Sequence, residues 1–579
     1  MILLPAEPLV FGEENGLMGW VHSAAPQEAR DLGVVVCAPQ GYDSLCVHWG
    51  LRLFAERLAI AGLPTVRFDY HGTGDSLGDD GQPDRVNAWL ASIDAAVQLL
   101  KEKTGVRRVA LLGLRLGATL AAAAAADRGD IEALVMYGPS LSGRTYVREQ
   151  KALGSTRHPD DPVDDTGNPN DVLMAGWLIT EETATALGKL DVAKLSKRPA
   201  KDVLILHRED FPLDERPQKN LAALGADVTA AKTQDWVAFM QDALTSKEPT
   251  RDFDTITRWL LARSKKAEPA KVARTVSAQL QGDDFTEEPL WFSSPSLFGV
   301  LTTARKTAPG KPLLLFLNTA ANHHIGPHRS TVELARMLSG RGISSFRLDA
   351  AGLGDTPARP GRPQNGVYSM EATRDAEAAI DFVHARGFKN VSVAGLCSGG
   401  YLAFHTSARD KRVKAMVLIN LQRFIWKDGD SLDVARRMAV PSTGTYLQRA
   451  LQLENWARLV KGGVDVKLIG TALATRAGKL IRGRSAELLA RLLGPSFETN
   501  EVPRGFLQML ARGTRVLLVY GESDGGLDEL ALHLGPDMRR LRGQPNAELA
   551  YLSGSDHTLT THEARRHLLD LLARTLLRS

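Results

Sequence analysis

Cysteine is scarce. The 579 residues hold three, too few for a disulfide framework, which leaves each of them free for chemistry. Aromatic residues make up only 6% of the chain, and no sign of charge dominates: Lys+Arg minus Asp+Glu is 71 − 67 = +4. That balance offers no basic field for nucleic acid and no acidic solvating tail. Long apolar runs are missing too. The windows LLLFL at 313–317 and VLLVY at 516–520 fall far short of the ~20 residues of a membrane span. Near the start, Pro5 and Glu7 interrupt the apolar stretch and no basic segment precedes it. A cytoplasmic protein without a secretory leader is therefore expected. What is present is 44% hydrophobic and 24% charged, the composition of a globular protein with a substantial core.

The sequence repeats itself. EPLVFG from Glu7 returns as EPLWFS from Glu288, an offset of 288 − 7 = 281. FDYHGTGDS from Phe68 returns as LDAAGLGDT from Leu348, 348 − 68 = 280 residues on. VALLGLRLGA around Arg115 returns as VSVAGLCSGG around Cys397, 397 − 115 = 282 residues on. Three matches in one order at a near-constant offset indicate two copies of one domain. A fourth pair, VLILHREDFPLDE from Val203 and VLLVYGESDGGLDE from Val516, is offset by 516 − 203 = 313, so the second copy carries 313 − 282 = 31 extra residues. The expected boundaries are 1–249, a linker at 250–284, and 285–579, with a helical cap over about 421–513.

Each copy alternates short apolar, β-branched runs (LGVVVCA, LLLFLNT, VKAMVLI) with amphipathic stretches such as STVELARMLSGRG. Short continuous apolar runs suit strands buried on both faces, and the alternation predicts an α/β fold with a mostly parallel sheet flanked by helices. Ligands are then expected at the carboxyl ends of the strands. The glycine-rich LDAAGLGDT loop lacks the full G-x-G-x-x-G pattern of a dinucleotide site.

In VSVAGLCSGG a strand runs directly into Gly395-Leu396-Cys397-Ser398-Gly399-Gly400 and then into a helical stretch. Strand, tight turn with small neighbours, and helix form the context of a nucleophile elbow. Here the chain resembles the α/β-hydrolase superfamily, once per repeat over nearly its whole length, each copy with a cap-like insertion. The second copy resembles the members that place cysteine at the elbow, such as dienelactone hydrolases, polyester synthases and biosynthetic thioesterases.

That resemblance implies a Cys-His-Asp triad of Cys397, His557 and Asp524, with Asp528 a rival acid. It implies oxyanion donors from the backbone of Ser398 and of Ala320 or Ala321. Asn322, His323, His324 and His328 share the latter loop and are candidates for substrate contact. No acidic or cysteine ligand set accompanies them in sequence, so no metal and no cofactor are expected. In the cap, Phe424, Trp426, Tyr446 and Trp456 are candidates for an acyl pocket, and Arg423, Lys427, Arg436 and Arg437 for the polar end of a carrier. The implied activity is acyl transfer from a thioester or ester through an acyl-cysteine, as thioesterase or acyltransferase. The substrate would be a small acyl compound, free or bound to a carrier protein or coenzyme A. Dienelactone-type hydrolysis is the alternative within enzymes, and a binding or scaffolding protein the alternative outside them. Association into a homo-oligomer is left open.

The first copy departs from the pattern. Arg115 fills its elbow, and Asp235-Trp236 stand where the second copy has Asp556-His557. Arginine has no nucleophilic atom, so this copy is expected to be non-catalytic. It would serve either as structure or as a recognition pocket in which Arg115, with Tyr42 and Asp43, meets an anionic group.

Overall fold

The computed structural model describes residues 6–156, 162–268, 279–293, 296–427, 430 and 500–578. The first half of the chain builds an eight-stranded sheet. Its strands are β1 (Glu7–Phe11), β2 (Leu17–His22), β3 (Leu32–Cys37), β4 (Thr65–Phe68), β5 (Arg108–Leu114), β6 (Ala133–Tyr137), β9 (Asp202–His207) and β10 (Asp227–Lys232). A separate hairpin is formed by β7 (Val172–Met174) and β8 (Trp177–Ile179). The strand order is β1-β2-β4-β3-β5-β6-β9-β10. The β1/β2 and β2/β4 pairs are antiparallel, and the other pairs are parallel.

The second half builds a nine-stranded sheet from β11 (Leu280–Gln281), β12 (Phe285–Phe292), β13 (Leu297–Ala304), β14 (Pro312–Leu317), β15 (Ser344–Asp349), β16 (Asn390–Leu396), β17 (Val413–Ile419), β18 (Arg515–Gly521) and β19 (Ala547–Leu552). Its order is β11-β12-β13-β15-β14-β16-β17-β18-β19. With β11 set aside, the two orders correspond strand for strand. The parallel strands are buried on both faces, as in LGVVVC of β3 and PLLLFL of β14, because helices cover each side.

Part of the stretch expected as a linker at 250–284 is folded. The helix Thr250–Leu261 buries Phe253, Ile256, Trp259 and Leu260, and Phe253 stacks on Phe54 at 3.9 Å. Its apolar stripe makes it part of the first core. At the other end β11 already pairs with β12. Of the expected cap at 421–513, the helix Glu501–Ala511 is described, while Arg436, Arg437, Tyr446 and Trp456 lie outside the described residues. No described helix is long and apolar enough to cross a membrane.

The halves meet through reciprocal buried charges. After β4 the chain offers Asp75, whose carboxylate meets His324 Nε2 at 2.6 Å and the Arg347 guanidinium. After β15, at the matching place in the repeat, it offers Asp355, which meets Arg67 at 2.7 Å and His48 at 3.0 Å. Arg52 Nε donates to Gly354 O at 3.0 Å, and Arg329 Nε donates to Gly74 O at 2.6 Å. Met18 and Trp20 of β2 close the contact against Phe298 and Val300 of β13.

Candidate active site

At the end of β16 the chain turns through Cys397, with φ 55° and ψ −116°, into the helix Ser398–Arg409. This left-handed backbone is strained for a residue with a side chain and persists only where its surroundings enforce it. The flanking glycines show how. A Cβ on Gly395 would lie 2.0 Å from the Gly399 carbonyl, and one on Gly399 would lie 2.9 Å from the carbonyl oxygens of Leu317 and Asn318. Small residues on both sides let strand and helix close around the turn, which lifts the Cys397 side chain to the carboxyl edge of the sheet. The first half repeats the geometry at Arg115, with φ 52° and ψ −122°.

Beside this turn lies an acid–base pair. His557, in the loop after β19, shares a hydrogen bond between its Nδ1 and Asp524 Oδ2 at 2.6 Å. The other oxygen of Asp524 accepts the Gly526 N–H at 2.7 Å, and Asn420 Nδ2 donates to the His557 carbonyl at 2.8 Å. The His557 partner is thus Asp524 rather than Asp528. Burial works against a charged imidazole here. The hydrogen-bonded Cys397 and Asp524 nonetheless carry the His557 pKa well above the usual histidine value.

In the expected oxyanion loop the Ala320 N–H donates to Ser398 Oγ at 2.8 Å. Ala321 lines the cavity, and its N–H has no acceptor among the described residues. Ser398 opens the following helix, where N–H groups lack an intrahelical partner.

The four residues that follow serve different ends. Asn322 and His328 line the cavity with Cys397 and His557. Burial and the nearby Arg565 push the His328 pKa down to about 3, so the ring is neutral and its Nε2–H donates to Leu559 O at 3.0 Å. His328 therefore braces the loop that carries His557. His323 and His324 are buried and do not line this cavity. His323 stacks on His48 of the first half at 3.7 Å. His324 is clamped between Asp349, at 2.8 Å from its Nδ1, and Asp75.

His324, Asp349 and Asp355 bring ligand-type atoms within 4.8 Å of one another. Protein groups already answer each of them: Asp75 on His324, Asn318 on Asp349, and Arg67 with His48 on Asp355.

The aromatic expectations also change. Phe424 is fully buried among Phe404, Phe506 and His533, as core rather than pocket wall. Trp426 stands behind the cavity wall, stacked at 4.5 Å on Tyr368. Tyr368 itself lines the cavity together with Cys397. No sequence motif marked it. Its φ of 57° places it in a turn before the helix Met370–Ala385.

In the first half Arg115 is not free to greet an anion. Its guanidinium pairs with Asp43 at 3.0 Å and Glu149 at 2.9 Å, with the side chain 5% exposed. Asp43 is thereby spent as its counterion, while Tyr42 lines the cavity of the second half. At the place answering His557, Trp236 is buried edge-on against Tyr137 at 5.1 Å.

Residues 41–165 match the family model described as "Serine aminopeptidase, S33". No curated protein sequence matches the chain. Among solved structures, Est1E from Butyrivibrio proteoclasticus with ferulic acid bound is 18% identical, covering 44% of this chain and 98% of its own, at a TM-score of 0.32. Proline iminopeptidase from Mycobacterium smegmatis is 15% identical over 50% of this chain and 98% of its own, at a TM-score of 0.32. An alpha-beta serine hydrolase homologue from Coxiella burnetii is 13% identical over 50% and 97%, at 0.28. The chain has an α/β-hydrolase-like fold with helical insertions.

One expectation is overturned at this point. Kinship with the cysteine-elbow branch implied a Cys-His-Asp enzyme working by acyl transfer. The family model that residues 41–165 match is instead described as a serine aminopeptidase. The thioesterase or acyltransferase reading is withdrawn with that kinship.

Proposed function

We propose that the chain is a hydrolase of ester-type acyl bonds, assembled from two copies of one α/β-hydrolase-like domain. The first copy extends to about residue 261, and the second begins at β11. The observation that carries the reading is the 2.6 Å His557–Asp524 pair beside a strained elbow, in a cavity of about 470 Å³. His557 and Asp524 are its acid–base pair, and Cys397 stands at the elbow beside them. The first copy, with Arg115 ion-paired and Trp236 buried at the corresponding positions, does no chemistry of its own.

The substrate carbonyl sits over the elbow, its oxygen facing the N–H groups of Ser398 and Ala321, where negative charge develops during attack. Asp524 holds the Nδ1–H tautomer of His557, which leaves Nε2 as the base. Nε2 takes a proton from a water over the elbow as the water oxygen bonds to the carbonyl carbon, and the proton passes to the alkoxide as the ester C–O bond breaks. Water is the acyl acceptor, so the products are an acid and an alcohol.

A panel of p-nitrophenyl esters from acetyl to decanoyl tests this. Wild-type protein should release the free acid, and His557→Ala should lower kcat/KM by about 10²–10⁴-fold. No hydrolysis above buffer across the panel, or full activity in His557→Ala, overturns the reading.

A further inference from the structure

The cavity at the elbow is not built by the second half alone. Leu45, Ala175, Trp177 and Ala243 of the first half line it together with Cys397 and His557. The hairpin β7–β8 makes the reach. Met174 pairs with Trp177, leaving Ala175 and Gly176 as a two-residue turn with φ of 49° and 81°. Positive φ at both central residues is the signature of a type I′ hairpin turn. A Cβ on Gly176 would lie 2.7 Å from His328, so the turn tip rests directly on the side chain that braces the His557 loop. Trp177 then packs against a buried cluster of Leu45 from the first half and Ile325 and Val332 from the second. An indole pinned between both halves at the cavity wall is a rigid surface.

We infer that the first half supplies the acyl-binding wall of the second, with Trp177 setting the length of apolar acyl chain the site accepts. This rests on the hydrolase reading for its substrate class. It also gives the half that lacks an acid–base pair a direct part in selectivity. Removing the indole opens space along the acyl chain, and each methylene newly buried there is worth about fourfold in binding.

The test has two readouts. In the first, kcat/KM is measured for acetyl and decanoyl p-nitrophenyl esters with wild type, Trp177→Phe and Trp177→Ala. Trp177→Ala should raise the decanoyl-to-acetyl ratio of kcat/KM at least tenfold. Trp177→Phe, the milder change, should fall between and serves if the alanine variant does not fold. The second readout needs no turnover. Cys397 is alkylated with N-ethyl and N-decyl iodoacetamide, and its peptide is followed by mass spectrometry. The decyl-to-ethyl rate ratio should rise in the same order. A changed alkylation ratio without ester hydrolysis by wild type keeps the wall and sinks the hydrolase reading. An unchanged ratio in both readouts for a folded variant overturns the wall.

Discussion

Asp75→Ala should uncouple the two halves. The Asp75 carboxylate is 1% exposed, and it meets His324 at 2.6 Å and Arg347, whose side chain has no exposure. Burial pushes the Asp75 pKa upward, but the two cations more than offset this and hold it well below the ordinary carboxylate range. Removing the carboxylate strands both partners. Breaking a buried pair costs about 3–5 kcal/mol. Arg347 keeps Glu287 at 2.6 Å and His324 keeps Asp349 at 2.8 Å, which places the loss near ~3 kcal/mol on that scale. Denaturant unfolding followed by intrinsic fluorescence is the assay. The variant should show a lower midpoint and two separated transitions, because the halves no longer support each other. The pH dependence follows in sign. The Asp75 contribution is present above about pH 4 and is lost as pH falls through its lowered folded pKa. His324, whose pKa burial lowers but Asp75 and Asp349 raise further, contributes below about pH 6.5 and loses that contribution as pH rises through its raised value. A wild-type-like midpoint in Asp75→Ala would refute the clamp.

Two further predictions concern the elbow. Gly395→Ala would put a methyl 2.0 Å from the Gly399 backbone; overpacking of this kind costs about 1–3 kcal/mol or more, and hydrolysis should fall together with thermal stability. A variant that keeps both would show that the turn is looser than described. Cys397→Ser places a hydroxyl beside His557, as in the serine hydrolases, and ester hydrolysis should persist. Loss of turnover with unchanged folding, read by circular dichroism, would count against the serine-hydrolase alignment of the site.

Much of this architecture was readable before any coordinates. The offsets of 281, 280 and 282 residues anticipated two sheets of matching strand order, because strand runs and turn glycines follow local rules. The strand-to-helix turn at Cys397 was legible for the same reason, since it sits at a strand end whose pattern is local. What stayed hidden was everything set by contact between the halves. His323 and His324 looked like substrate residues because the Asp75 and His48 that engage them lie more than 240 positions away. Arg115 looked available until Asp43 and Glu149 were placed beside it. Trp177 and Tyr368 carried no motif, and their places in the cavity depend on a hairpin and a turn from other parts of the fold. The cysteine at position 397 pointed to a branch of the superfamily that the comparisons did not support. One residue at a shared turn is weak evidence for a branch.

The pH–rate profile of ester hydrolysis tests the central claim most directly. If neutral His557 is the base and Asp524 orients it, kcat/KM should rise with pH to a midpoint above 6.5, the usual histidine value. Asp524→Asn should lower the plateau by on the order of 10⁴-fold and move the midpoint downward. A profile that is flat between pH 6 and 9 (roughly the range in which a raised histidine titrates), or one unchanged by Asp524→Asn, would contradict the account.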